Sequence, residues 1–144
     1  MIEIISNSPD ETNLVGKKIA ANLCSGSIVA LKGTLGSGKT NLTKGIALGL
    51  GINENITSPT YTIINEYSIP SLPYSFYHID AYRLKGDRDF EECGGLEIIQ
   101  SGGISIIEWS EYIPGSLPLN IISVSLEITG VTSRLIKIEG LEAL

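Results

Sequence analysis

Between Gly33 and Thr40 the chain reads GTLGSGKT. Three glycines, a lysine and a hydroxyl residue stand at fixed spacing, and together they suit the binding of a phosphate. Glycines cost conformational entropy, so a cluster of them implies a backbone that must bend where side chains would obstruct it. In such a bend, successive N–H groups can turn inward around an anion. The ammonium of Lys39 can reach a β- or γ-phosphate, and the Thr40 hydroxyl can ligate Mg²⁺. The stretch matches GxxxxGK[ST] in full. Gly33, Thr34, Leu35, Gly36, Ser37, Gly38, Lys39, Thr40 and the following Asn41 are therefore the candidate nucleotide-binding run. The competing GxGxxG pattern fails, because counting from Gly36 its third glycine would fall on Asn41.

A triphosphate site also needs acids to hold the divalent ion and to orient a water. Two apolar runs end in one: YSFYHID at Asp80 and ISIIE at Glu108. Ligands of open α/β sheets collect at the carboxyl ends of strands, so both acids become site candidates if their strands run parallel to the one before the loop. His78 lies two residues before Asp80 and would face the same way on a strand. A packed, hydrogen-bonded histidine is its default reading. Trp109 reads equally as a packing residue or a ligand contact, and Arg83 as a phosphate contact or a salt-bridge partner. SPTYT, residues 58 to 62, is either a γ-phosphate sensor or a Ser-Pro turn opening a strand.

The elements that would position these groups alternate. MIEIIS reads as a strand. Ser8, Pro9 and Glu11 then form a helix start with a capping box, and Leu14, Val15, Ile19 and Leu23 recur at helical spacing until Ser25-Gly26. SIVALK is apolar enough to be a strand buried on both faces. KTNLTKGIALGL is a helix stopped by Gly51, and its Gly45 and Gly49 suggest close packing on a sheet. YTIINEYSI and YSFYHIDAY predict two strands joined by PSLP. LKGDRDFEECGGLEIIQSGG reads as a polar, mobile stretch. ISIIEW, NIISVSLEI and SRLIKIEGL predict three more strands. These add up to an α/β fold: residues 1–144 as one P-loop NTPase-like domain, with a mixed β-sheet flanked by helices.

Composition narrows the function. The chain has 144 residues and a net charge of -6, which disfavours broad electrostatic capture of nucleic acid by this chain alone. Its apolar runs fall far below the roughly 18 residues a membrane span needs. No charged segment followed by an apolar core opens the chain, so a cytoplasmic protein is expected. Cys24 and Cys93 lie far apart, and the single histidine is near neither, which makes a zinc site a poor fit.

In order and spacing, GTLGSGKT, SPTYT, HIDAYR and IIEW together resemble the TsaE (YjeE) family. The likeness extends to TNLVGKKIA near the start and SLP before the tail. It implies a bacterial Mg²⁺-dependent ATPase needed for threonylcarbamoylation of adenosine at position 37 of tRNAs that read codons beginning with A. It also implies two protein partners: TsaD, which performs the transfer, and TsaB, its companion. ATP turnover would reset that assembly, and tRNA would be met only through it. By the same resemblance Lys39 and Thr40 hold phosphate and Mg²⁺, Glu108 is the second metal ligand, and Asp80 is the acid required for hydrolysis. Thr60 becomes a switch residue, and Thr12 lies where the family builds part of its base pocket. The family usually has GDLGAGKT. Here Thr34 replaces the aspartate, which removes a charge and bears on the rate of hydrolysis, while Ser37 for alanine is a small change.

Other functions have weaker support. A small-molecule kinase usually needs a basic acceptor pocket and lid, and the chain has only ten Lys and Arg in all. A GTPase would be expected to carry NKxD, which is absent. A nucleotide-dependent binding module with little hydrolysis stays open because of Thr34.

Overall fold

The computed structural model describes residues 1–57 and 63–144, so the expectation for SPTYT, with Thr60, lies outside the described residues. Seven strands form one mixed sheet: β1 (Ile2–Ser6), β2 (Ile28–Lys32), β3 (Ile64–Ser68), β4 (Ser75–Asp80), β5 (Ile104–Glu108), β6 (Ile122–Ile128) and β7 (Arg134–Glu139). Their spatial order is β1-β7-β6-β2-β5-β4-β3. The central four, β6, β2, β5 and β4, are parallel, whereas β3 pairs antiparallel with β4, and β7 with both β6 and β1. The IVAL of β2 is buried throughout, as expected of a strand covered on both faces.

One face is covered by α1 (Pro9–Ala20) and α2 (Lys39–Gly49) over a core that includes Ile19, Leu31, Ile46, Phe76 and Ile106. Ser8 caps α1, its Oγ accepting the Glu11 N–H at 3.1 Å, while the Glu11 carboxylate accepts the Asn7 N–H at 2.6 Å. The helix stops at Ala20, short of Leu23, which packs half-buried on the core from the following turn. Gly45 and Gly49 face α1 rather than the sheet that the sequence suggests for them. A Cβ on Gly45 would overlap the Asn13 carbonyl, and one on Gly49 would stand 2.6 Å from the Ala20 Cβ. The glycines thus let two helices touch backbone to backbone, and this contact brings the start of α1 beside the start of α2.

The other face differs from the sequence reading. The polar segment after Arg83 contains two short helices, α3 (Asp87–Glu92) and α4 (Gly95–Ile99). Phe90 is fully buried, and Leu84 and Ile99 nearly so, in a second cluster against Ile79 and Ile107. Helices of one or two turns are too short for apolar periodicity to stand out. No helix among the described residues is long and apolar enough to cross a membrane.

Candidate functional site

The loop after β2 leads directly into α2. Gly36 and Gly38 have φ of +81° and +103°, which an L side chain rarely adopts, and Gly38 is the N-cap of α2. The first turn of α2 carries no acid, so its positive end is not offset there. The Ser37 N–H closes the loop on the Thr34 carbonyl at 3.0 Å. Lys39 donates to the Gly33 carbonyl at 2.6 Å, and its ammonium lies 3.6 Å from the centre of the Trp109 ring. Burial lowers the Lys39 pKa, and the charges of Glu108, Glu111 and Asp80 act against that shift.

The parallel register brings the acids to the loop. Asp80 at the end of β4 lies opposite Glu108 at the end of β5, and Glu108 lies opposite Leu31 of β2. Asp80 accepts the Tyr82 N–H at 2.9 Å, which ties its carboxylate to the turn after β4. Glu108 is only 4% exposed. One of its oxygens, Oε2, meets Nε2 of the fully buried His78. The histidine's Nδ1 has no partner among the described residues. Trp109 then turns through a left-handed conformation, φ +58°, rare for a bulky residue. The turn lays its indole beneath Lys39 and against Tyr82 and Tyr112, with ring centres 5.0 Å and 5.7 Å away.

These residues enclose a cavity of about 610 Å³. The loop from Leu35 to Lys39, Thr40 and Asn41 form one side, and Asp80, Glu108 and Trp109 another. Two cations, Lys39 and Lys44, face two carboxylates, so a polyphosphate entering here would need further positive charge. Among the described residues no cluster of three or more His, Cys, Asp or Glu could hold a metal by itself. The donors that do line the cavity are hard oxygens, from Thr40, Asp80 and Glu108. That open set fits Mg²⁺, which keeps waters and substrate phosphates as ligands and needs few from the protein.

On the loop's opposite flank, a smaller cavity of about 250 Å³ is walled by Thr12, Gly36, Gly38, Asn41 and Arg134. Thr12 is buried, its hydroxyl sharing a 2.7 Å hydrogen bond with Ser6 Oγ. Asn41 donates to the Pro9 carbonyl at 2.6 Å, tying α2 to the start of α1. Gly33 and Thr34, counted in the binding run, line neither cavity and act here through their carbonyls. Arg83 is exposed. The sequence reading passed over Lys44, Tyr82, Glu111 and Arg134. Lys44 had a readable signal, one helical turn beyond Thr40. Arg134 had none, because only the sheet order brings it to the loop.

Comparison with known proteins adds an independent line. A family profile described as "Threonylcarbamoyl adenosine biosynthesis protein TsaE" matches residues 6–136. A Treponema pallidum protein named "tRNA threonylcarbamoyladenosine biosynthesis protein TsaE" is 38% identical over 90% of this chain and 94% of its own length. A protein of the same name from Borreliella burgdorferi is 41% identical, with 80% and 82% covered. The crystal structure of YdiB from Bacillus subtilis superimposes with a TM-score of 0.76 at 31% identity, over 95% of this chain and 83% of that one. With a profile that spans most of the chain and relatives this similar along nearly their whole length, the chain belongs to the TsaE family.

Proposed function

We propose that the protein is a Mg²⁺-dependent ATP hydrolase, with residues 1–144 acting as one cytoplasmic domain. Its ATP cycle would support TsaB and TsaD in making N6-threonylcarbamoyladenosine at position 37 of tRNA, and it would touch tRNA only through that assembly. The observation that carries this reading is the juxtaposition of the glycine loop with two carboxylates set in register on neighbouring parallel strands. In this reading the amides of the loop and of the α2 N-terminus bind the phosphates. Lys39 leaves the Gly33 carbonyl for the β- and γ-oxygens. Asp80 takes a proton from a water whose oxygen bonds to the γ-phosphorus as the bridge to the β-phosphate breaks, releasing ADP and phosphate. Thr40 and Glu108 hold the divalent ion, and His78 fixes the Glu108 carboxylate by occupying one of its oxygens. When bound, Mg²⁺ supplies the positive charge that the balanced lining lacks. Thr12 and Asn41 flank the nucleoside, and Thr60 serves as the switch.

Single-turnover release of phosphate from ATP, measured with the protein alone and with TsaB and TsaD, tests the hydrolase. Repeated rounds of tRNA modification with and without this chain test its place in the assembly. ATP binding without phosphate release in either setting would replace the hydrolase with a nucleotide-dependent binding module.

A further inference from the structure

Arg134 opens β7, where it is pinned between Ile128 of β6 and Ser6 of β1. Its side chain runs to the loop, 97 residues earlier in the chain, and donates from Nε to the Ser37 carbonyl and from Nη2 to the Gly36 carbonyl, each at 3.1 Å. Nη1 donates to the carbonyls of Gly130 at 3.1 Å and Ser133 at 2.8 Å. The turn that supplies those carbonyls is closed by Thr129, through its N–H to the Ser133 carbonyl and its hydroxyl to Ser133 Oγ. Among the described residues no carboxylate forms an ion pair with Arg134. The guanidinium therefore spends its planar fork on main-chain oxygens, two of them consecutive in the loop, and keeps its charge.

This arrangement bears on the anion nest. In a planar trans peptide the C=O and N–H point in opposite directions. Holding the Ser37 carbonyl towards Arg134 turns the Gly38 N–H away from the guanidinium, while the Ser37 N–H, opposite the Gly36 carbonyl, closes the loop on Thr34. The two carbonyls belong to the peptide planes on either side of Ser37, and Gly36 and Gly38 flank that residue with positive φ. A guanidinium can bridge both at once, whereas a lysine ammonium, a point charge on a flexible stem, lacks that geometry.

We propose that Arg134 is a positioning residue for the phosphate loop. It clamps the Gly36 and Ser37 carbonyls outward, so that the ligand-free loop already holds its anion-binding form, with an unbalanced positive charge behind it. The proposal rests on reading this loop as a phosphate site, and its test separates the two. Arg134→Lys keeps the charge and removes the fork. In the ligand-free variant, amide hydrogen exchange of residues 33–40 should speed up about tenfold or more, while β2 and β5 stay protected as in the parent. The Kd for ATP should rise about tenfold, the size of about one charge-assisted hydrogen bond, with kcat at saturating ATP changed less than about threefold. In Arg134→Ala, added methylguanidinium should recover part of the affinity, which a merely structural role would not allow.

Unchanged loop exchange in Arg134→Lys would overturn the proposal, as would exchange that rises equally in the loop and the core strands. So would a loop that loosens while ATP affinity holds. A parent protein that fails to bind ATP would refute the phosphate reading, and the exchange measurement would still decide whether Arg134 sets the loop.

Discussion

The phosphate loop has two unlike flanks. On one side are carboxylates, a buried histidine and a tryptophan in a rare backbone conformation, around the larger cavity. On the other are Thr12, Asn41 and Arg134, whose polar groups are taken up by other parts of the chain. The first flank presents groups that can act on a ligand, and the second spends its hydrogen bonds on holding the loop and the first turns of two helices together. A loop this rich in glycine has little conformational preference of its own, so the holding flank must supply the shape that the reacting flank uses.

That contrast predicts which variants lose which property. The largest effect is expected from Lys39→Ala, which belongs to the loop itself. Losing hydrogen bonds to a charged ligand costs about 2–3 kcal/mol, so ATP affinity should fall roughly 30- to 150-fold, as read by calorimetry. Next comes the reacting flank. Asp80→Asn should slow phosphate release about a hundredfold or more, the usual contribution of a general base, while leaving the ATP Kd within about threefold. A matching loss of affinity would move Asp80 to the holding side. Glu108→Gln should weaken ATP binding about tenfold with Mg²⁺ present and little in EDTA, because it removes one charge-assisted contact to the ion. Equal losses in both media would take Glu108 out of the metal shell. The holding flank should respond in stability as well as binding. Gly45→Ala forces a methyl into the Asn13 carbonyl, so thermal unfolding should show a loss of about 1–3 kcal/mol. The smallest effect is expected from Thr34→Asp. The side chain is exposed and outside both cavities, so ATP affinity should change less than about twofold, as surface substitutions do.

The reacting flank was mostly legible in the sequence, and the holding flank mostly was not. GTLGSGKT announces itself because its spacing is local. Asp80 and Glu108 could be chosen because each ends an apolar run, and parallel pairing then carries both to the same edge. Their partners were harder to see. That His78 meets Glu108 depends on strand register, which single runs do not specify. Arg134 opens what reads as an ordinary strand, and only the placement of β7 two strands from β2 brings it to the loop. The spacing of Gly45 and Gly49 signals close packing but not against α1, because glycine spacing tells how near something comes and not what it is. The helices around Phe90 were hidden by their brevity and by the acids around them.

The chain's single tryptophan rests under the ammonium of Lys39. Any molecule that draws that ammonium away alters the surroundings of the one indole in the protein. Its emission is therefore a built-in optical gauge of whether the lysine is engaged, readable in real time without a dye.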